Sequence, residues 1–124
     1  MTTWTIRELA DEYDVTLRTL RHYEDLGLLA PARVGTRREY GVRERIRLEL
    51  ILRGKRVGFS LDRIAEIVNM YDEPPGEAGQ LRFLVEQCRL RREELERQRR
   101  DIDATIGDLD GIAARCHEDL ARLE

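Results

Sequence analysis

Seven residues in the last third of the chain, Leu81, Cys88, Leu95, Ile102, Leu109, Cys116 and Leu123, follow one another at intervals of seven without a slip. An apolar row with that period is the seam of a coiled coil, because seven residues are nearly two full helical turns. As a single helix, residues 81–123 would span about 64 Å. Nothing else in the chain is large enough to cover such a stripe, so the row requires a second copy and predicts a homodimer. The companion positions three residues on (Leu84, Arg91, Gln98, Thr105, Ile112 and Asp119) are mixed, which weakens the middle of the seam. Gly107 and Gly111 each cost about 1 kcal/mol inside a helix. The chain is therefore expected to fray or turn back near Gly107.

Charged residues make up 38% of the 124 residues, against about 25% in an ordinary globular domain. A chain so charged buries only a small core and must expose much helix face to water. No apolar stretch reaches the roughly 18 residues a membrane span needs. The opening MTTWTIREL lacks the basic and apolar regions of a signal peptide. A cytoplasmic protein with no membrane partner is expected. Cys88 and Cys116 are too few for a disulfide scaffold. The net charge is −3, yet residues 33–56 hold nine basic side chains (Arg33, Arg37, Arg38, Arg43, Arg45, Arg47, Arg53, Lys55, Arg56) against Glu39, Glu44 and Glu49. Nucleic-acid binding follows such a local patch, not the overall sign.

The run Asp72-Glu73-Pro74-Pro75-Gly76 cannot continue a helix and divides the chain. The expected organisation is a DNA-binding domain over 1–72, a hinge over 73–80 and a coiled-coil helix over 81–124. In the first part, Ile6, Leu9, Ala10 and Tyr13 repeat with a helix period, and Thr5 with Glu8 is spaced as a capping box. After Asp14-Val15, Thr16 can cap a second helix running to about Leu26, with Leu17 and Leu20 inward and Gly27 as its left-handed stop. Two short helices so joined form a helix-turn-helix. Pro31 demotes the following segment to an edge strand, and Gly35 turns a small hairpin, a wing. A third helix is expected over Val42–Val57 with the stripe Ile46, Leu50 and Val57, Gly54 permitting close packing and Gly58 ending it. Ser60 caps a fourth helix with Leu61, Ile64, Ala65 and Val68 on one face. The predicted fold is mainly α: a winged helix-turn-helix, then a long dimerisation helix paired as an antiparallel coiled coil.

A groove reader needs donors on the outer face of a helix narrow enough for the major groove. Thr16, Arg18, Thr19, Arg21 and His22 supply hydroxyl, guanidinium and imidazole there. Arg38 and Tyr40, two apart on a strand, point to one side of the wing. The N-terminus of the second helix adds backbone N–H donors for phosphate. There is no Gly-rich phosphate loop, no Ser/His/Asp set and no carboxylate cluster, so no enzyme, cofactor or metal site is expected. An adaptor whose helix-turn-helix binds protein would lack this cationic face.

The strings TIRELADEYDVTLRTLRHYEDLGLL (5–29), GTRREY (35–40) and VGFSLDRIAEIV (57–68) resemble the MerR family of bacterial transcription regulators. Among short members, the chain is similar to regulators of branched-chain amino-acid and fatty-acid catabolism of the LiuR kind. The resemblance implies that Arg21 is the family's DNA-contacting arginine and Tyr23 its phosphate-contacting and packing tyrosine. It places Thr16, Arg18 and Thr19 at base edges and backbone, and makes Arg38 and Tyr40 the wing pair that grips phosphate. His22 stands where a second aromatic is common, Arg37 replaces the usual aromatic before the wing arginine, and Arg43-Glu44 replaces an acidic pair. The implied mechanism is distortion of an over-long promoter spacer so that RNA polymerase engages both promoter elements, with a small-molecule effector shifting the balance. In metal-sensing members, two cysteines bracket a loop after the dimerisation helix. Here only Cys116, followed by His117, lies there, so neither a second thiol nor an effector domain is expected after it. In an antiparallel pair centred on Ile102, Cys88 would face Cys116 of the partner subunit. That thiol pair could bind a soft metal or oxidise, or the two could be small buried hydrophobes. Both readings stay open.

Overall fold

The capping signals in the sequence set the helix boundaries. Helix α1 spans Ile6–Tyr13 behind Thr5, whose hydroxyl accepts from the Glu8 N–H at 3.1 Å while the Glu8 carboxylate accepts from the Thr5 N–H at 2.8 Å. Asp14 takes a left-handed conformation at φ 54°, and the Val15 N–H reaches back to the Ala10 carbonyl. Helix α2, Leu17–Asp25, starts on Thr16, and Gly27 at φ 77° turns the chain out of it. Strands β1 (Ala32–Val34) and β2 (Arg37–Glu39) form an antiparallel hairpin in which Arg33 faces Arg38. Gly35 supplies the positive φ that this two-residue connection requires. Trp4 pairs with Tyr40 through two backbone hydrogen bonds, extending the hairpin by one bridge. Helix α3 is Val42–Arg56, and α4 is Leu61–Asn69 with Ser60 as its N-cap. Helix α5 runs from Gly76 to Leu123.

The structure, a computed structural model, describes residues 2–70 and 76–124. It divides into a first unit through Leu84 and a second from Val85 to Glu124. The Asp72–Pro75 part of the expected break lies outside the described residues, as does Tyr71. From Gly76 onward, the segment expected as hinge is already helical.

The core of the first unit is small: Leu9, Ala10, Leu20, Tyr23, Leu28, Leu29, Tyr40, Leu48, Ile51, Ile64 and Val68. Helices α3 and α4 close on each other at Gly54, where an added Cβ would lie 2.8 Å from Ile64 Cγ1. Helix α3 departs from the sequence expectation. Its inward side carries Leu48, Ile51 and Gly54 together with Glu44 and Arg47, while Ile46 and Val57 are exposed. Two charged residues interrupt the inner face, so the apolar period alone selects the wrong stripe. Both are satisfied: Glu44 accepts from the Ala30 N–H at 2.9 Å. Arg47 donates to the Leu28 and Val68 carbonyls and to Asn69 Oδ1, at 2.7, 3.0 and 2.8 Å. The first turns of α5 are held to α4 by Gln80 Nε2, which donates to the Ile67 carbonyl at 2.8 Å.

The second unit is a helix without a turn. The fraying or reversal expected at Gly107 does not occur, since α5 continues through Gly107 and Gly111 to Leu123. Pairs at i,i+3 and i,i+4, such as Arg89–Glu93, Arg91–Glu94 and Arg92–Glu96, support its first half. All are solvent-exposed, so water screens them and each adds little to the helix. No helix is long and apolar enough to cross a membrane among the described residues.

Candidate nucleic-acid interface

Helix α2 is amphipathic in the way a groove reader must be. Leu20 and Tyr23 anchor it in the core, and Arg18, Arg21 and His22 stand exposed on its other side. Neither Arg18 nor Arg21 makes an ion pair among the described residues, so both guanidinium groups face solvent with their donors open. Thr16 and Thr19 are engaged with each other. The Thr16 hydroxyl accepts from the Thr19 N–H at 3.0 Å and shares a 2.9 Å hydrogen bond with the Thr19 hydroxyl. Thr16 therefore caps the helix and orients its free N–H groups, which suit an anion.

The wing carries Arg33, Arg37 and Arg38 within six residues. Arg33 and Arg37 are exposed, and Arg37 is close enough to α1 for its charge to help hold the Glu8 carboxyl below the usual range. The larger cause of that lowering is the backbone N–H of Thr5. Arg38 and Tyr40 share a side, as the strand alternation predicts, and that side faces the end of α2. Arg38 Nε donates to Glu24 Oε2 at 3.1 Å, and the Tyr40 hydroxyl donates to Glu24 Oε1. Tyr40 is fully buried. Burial, then its bond to the Glu24 carboxylate, pushes the phenol well above its ordinary pKa.

Tyr23 is likewise a core residue, and its hydroxyl is buried without a hydrogen-bond partner among the described residues. Its ring packs beside His22, and Lys55 Nζ lies 5.8 Å from its centroid. That contact brings Lys55, in the basic last turn of α3, alongside α2. Lys55 belongs to the basic run seen in the sequence, but helical periodicity gives no hint of its closeness to α2. A half-open groove of about 230 Å³ lies between α2 and α4, lined by His22, Leu26, Leu28, Leu61, Asp62 and Ala65. No cluster of His, Cys, Asp or Glu suited to a metal ion occurs among the described residues.

The second candidate surface is the stripe on α5. Leu81, Leu95, Ile102 and Leu109 are 44–59% exposed, and both thiols are free and exposed. A second row lies four residues on: Val85, Arg92, Arg99, Ile106, Ala113 and Leu120. From Ile102 the two rows interleave as Ile102, Ile106, Leu109, Ala113, Cys116, Leu120 and Leu123, an unbroken apolar seam. Charge along α5 is also segregated. Residues 82–100 hold seven Arg against four Glu, whereas residues 101–124 hold two Arg against seven Asp or Glu.

Comparison with known proteins bears on these surfaces. Residues 4–71 match the model of the MerR HTH family regulatory protein, and residues 45–112 match that of MerR, DNA binding. The HTH-type transcriptional regulator HmrR of Rhizobium leguminosarum is 26% identical over 113 residues, covering 90% of this chain and 85% of that protein. The HTH-type transcriptional activator TipA of Streptomyces coelicolor is 33% identical over 114 residues, covering 90% of this chain but only 38% of that protein. A MerR-family transcriptional regulator from Bacillus cereus superposes with a TM-score of 0.69 at 29% identity, over 88% of this chain and 78% of that one. The fold is shared with HiNmlR, a MerR family regulator lacking the sensor domain and bound to promoter DNA, with a TM-score of 0.63 at 22% identity over 82% and 80% of the two chains.

Proposed function

The chain belongs to the MerR family of DNA-binding transcription regulators and not to an enzyme family, and from that premise we propose that it works as an antiparallel dimer that distorts promoter DNA. The observation that carries the DNA-facing half is the open cationic face of α2, Arg18 and Arg21, flanked by the wing arginines and by Lys55. Arg21 reads a base edge, Arg18 and the α2 N-terminus take backbone, and Arg33, Arg37 and Arg38 take phosphates outside the groove. Two such readers at a fixed separation bend and untwist the spacer between the promoter elements. The deformation costs about 1–10 kcal/mol and is offset by phosphate contacts along the bend. RNA polymerase then engages both elements. A small-molecule effector acts by binding the distorted and undistorted complexes with different affinity. HiNmlR, captured on promoter DNA, supports the expectation that this fold docks on a duplex.

The dimer reading rests on the exposed seam and the charge reversal of α5. Parallel helices would set like halves together, whereas antiparallel ones set the arginine-rich half against the acidic half. Pairing one apolar row against the other with the midpoint between Arg100 and Asp101 puts Leu81 against Leu120 of the partner subunit. It also puts Leu95 against Ile106 of the partner subunit, and lets the Arg92 and Arg99 stems lie along apolar neighbours. Cys88 and Cys116 of the partner subunit then fall in adjacent layers instead of directly opposite each other. That arrangement keeps a thiol-based sensor as the second reading, supported by the exposure of both cysteines on the single chain.

The test is binding to duplex promoter DNA across a salt series. Affinity should fall steeply as salt rises, and Arg21→Ala should weaken operator binding by about 1–3 kcal/mol while relaxing preference at one base position. Unchanged operator affinity for that variant would remove Arg21 from the interface. For the distortion itself, transcription from a promoter with an over-long spacer should depend on the protein, and shortening the spacer to its ordinary length should abolish the dependence. The second reading predicts that a Cys88→Ser, Cys116→Ser double variant no longer responds to oxidants or soft metals in that assay.

A further inference from the structure

Glu24 is the last acidic side chain of α2 to face inward, and its carboxylate is used twice. One oxygen accepts the Tyr40 hydroxyl, and the other accepts Arg38 Nε at 3.1 Å. The Glu24 side chain is only 12% exposed and that of Arg38 23%. Arg38 and Tyr40 lie on the inward side of the wing at its C-terminal end. Both therefore converge on one carboxylate belonging to the reading helix.

The guanidinium is held by Nε alone. Its two terminal amino groups have no acceptor among the described residues, so the fork that matches a phosphate remains available. Arg33 stands directly opposite Arg38 in the hairpin. Two facing cations on so short a ribbon repel, and the Glu24 carboxylate offsets that repulsion before any DNA arrives.

We propose that Glu24 is a positioning residue for DNA binding: its carboxylate fixes Arg38 and Tyr40 so that the free end of the Arg38 guanidinium is aimed at a phosphate in register with α2. Glu24 does not contact DNA, and it stays bonded to Arg38 in the complex. The wing and the reading helix then present their donors as one rigid set, which lowers the ordering cost of the phosphate contact. The inference rests on the reading that the wing meets the DNA backbone.

A double-mutant cycle on duplex binding across a salt series tests it, with Glu24→Ala, Arg38→Ala and the pair. The expected result is that Glu24→Ala weakens binding about tenfold and lowers the salt slope by about 1, as loss of one phosphate contact would. Arg38→Ala should do the same, and the double variant should bind no more weakly than Arg38→Ala. Glu24→Gln, which keeps an acceptor without the charge, should fall between wild type and Glu24→Ala, and it carries the same cycle if Glu24→Ala does not fold by circular dichroism. Multiplying losses, an unchanged salt slope, or tighter binding by Glu24→Ala would each overturn the proposal. The last would mean that the carboxylate competes with DNA for Arg38. A wild-type protein without salt-dependent duplex binding would instead overturn the DNA reading on which the proposal depends.

Discussion

Single side chains here do more than one job, and Tyr13 illustrates the consequence. It ends α1, packs at the edge of the core and donates its hydroxyl to Glu49 Oε1 at 2.6 Å. Arg45 lies 5.6 Å from its ring and 4.7 Å from that of Trp4, so a cation, two aromatic rings and two carboxylates (Glu12 and Glu49) lock α1 to α3. Burial, then the bond to Glu49, pushes the Tyr13 phenol up to about 12. A raised pKa in the folded state means that folding favours the protonated phenol. Its contribution is fully present below the ordinary tyrosine pKa of about 10 and is lost as pH rises through about 12. Tyr13→Phe should therefore be less stable than wild type at neutral pH, with the gap closing between those two values. Denaturant melts followed by circular dichroism at several alkaline pH values would read it. A gap that stays constant with pH would assign the whole effect to packing.

At the scale of elements, the helix starts were legible because capping is local. Thr5, Thr16 and Ser60 each sit three residues before the N–H they satisfy, and each begins the helix expected of it. The turns at Gly27, Gly35 and Gly58 were legible for the same reason, since positive φ is a property of one residue. The inner face of α3 was not, because Glu44 and Arg47 are buried by partners 14 to 22 residues away and no period announces them. The candidate site divides the same way. Arg18, Arg21 and His22 are placed by helical geometry alone, whereas the turning of Arg38 and Tyr40 onto Glu24 and the placing of Lys55 beside Tyr23 depend on tertiary packing. Gly54 offers a test at this scale. Helix propensity by itself would make Gly54→Ala stabilising by about 1 kcal/mol. The added Cβ would sit 2.8 Å from Ile64 Cγ1 and 3.1 Å from Ile64 Cδ1, and overpacking of that kind costs about 1–3 kcal/mol. A net loss is expected in the denaturant midpoint; a gain would mean that the α3–α4 crossing yields easily.

For the whole molecule, the long helix sets the question of assembly. Its apolar row repeats every seven residues in the sequence, and Gly107 and Gly111 do not interrupt the helix that carries it. Leu95→Asp puts a carboxylate into the seam where 44% of the leucine is exposed on the single chain. Sedimentation should move toward monomer, and operator affinity should fall with it because one reader no longer brings the other. A dimer that survives would place the seam elsewhere. In the first unit, a different kind of connection operates. The one guanidinium of Arg47 grips the carbonyl just beyond α2, the carbonyl of Val68 and the amide side chain of Asn69. Segments that share a single strut cannot loosen independently. Amides around Leu28 and those at the end of α4 should thus exchange with solvent deuterium at one common opening free energy, as a single foldon. An event at the far side of α4 would then be felt where the chain leaves α2.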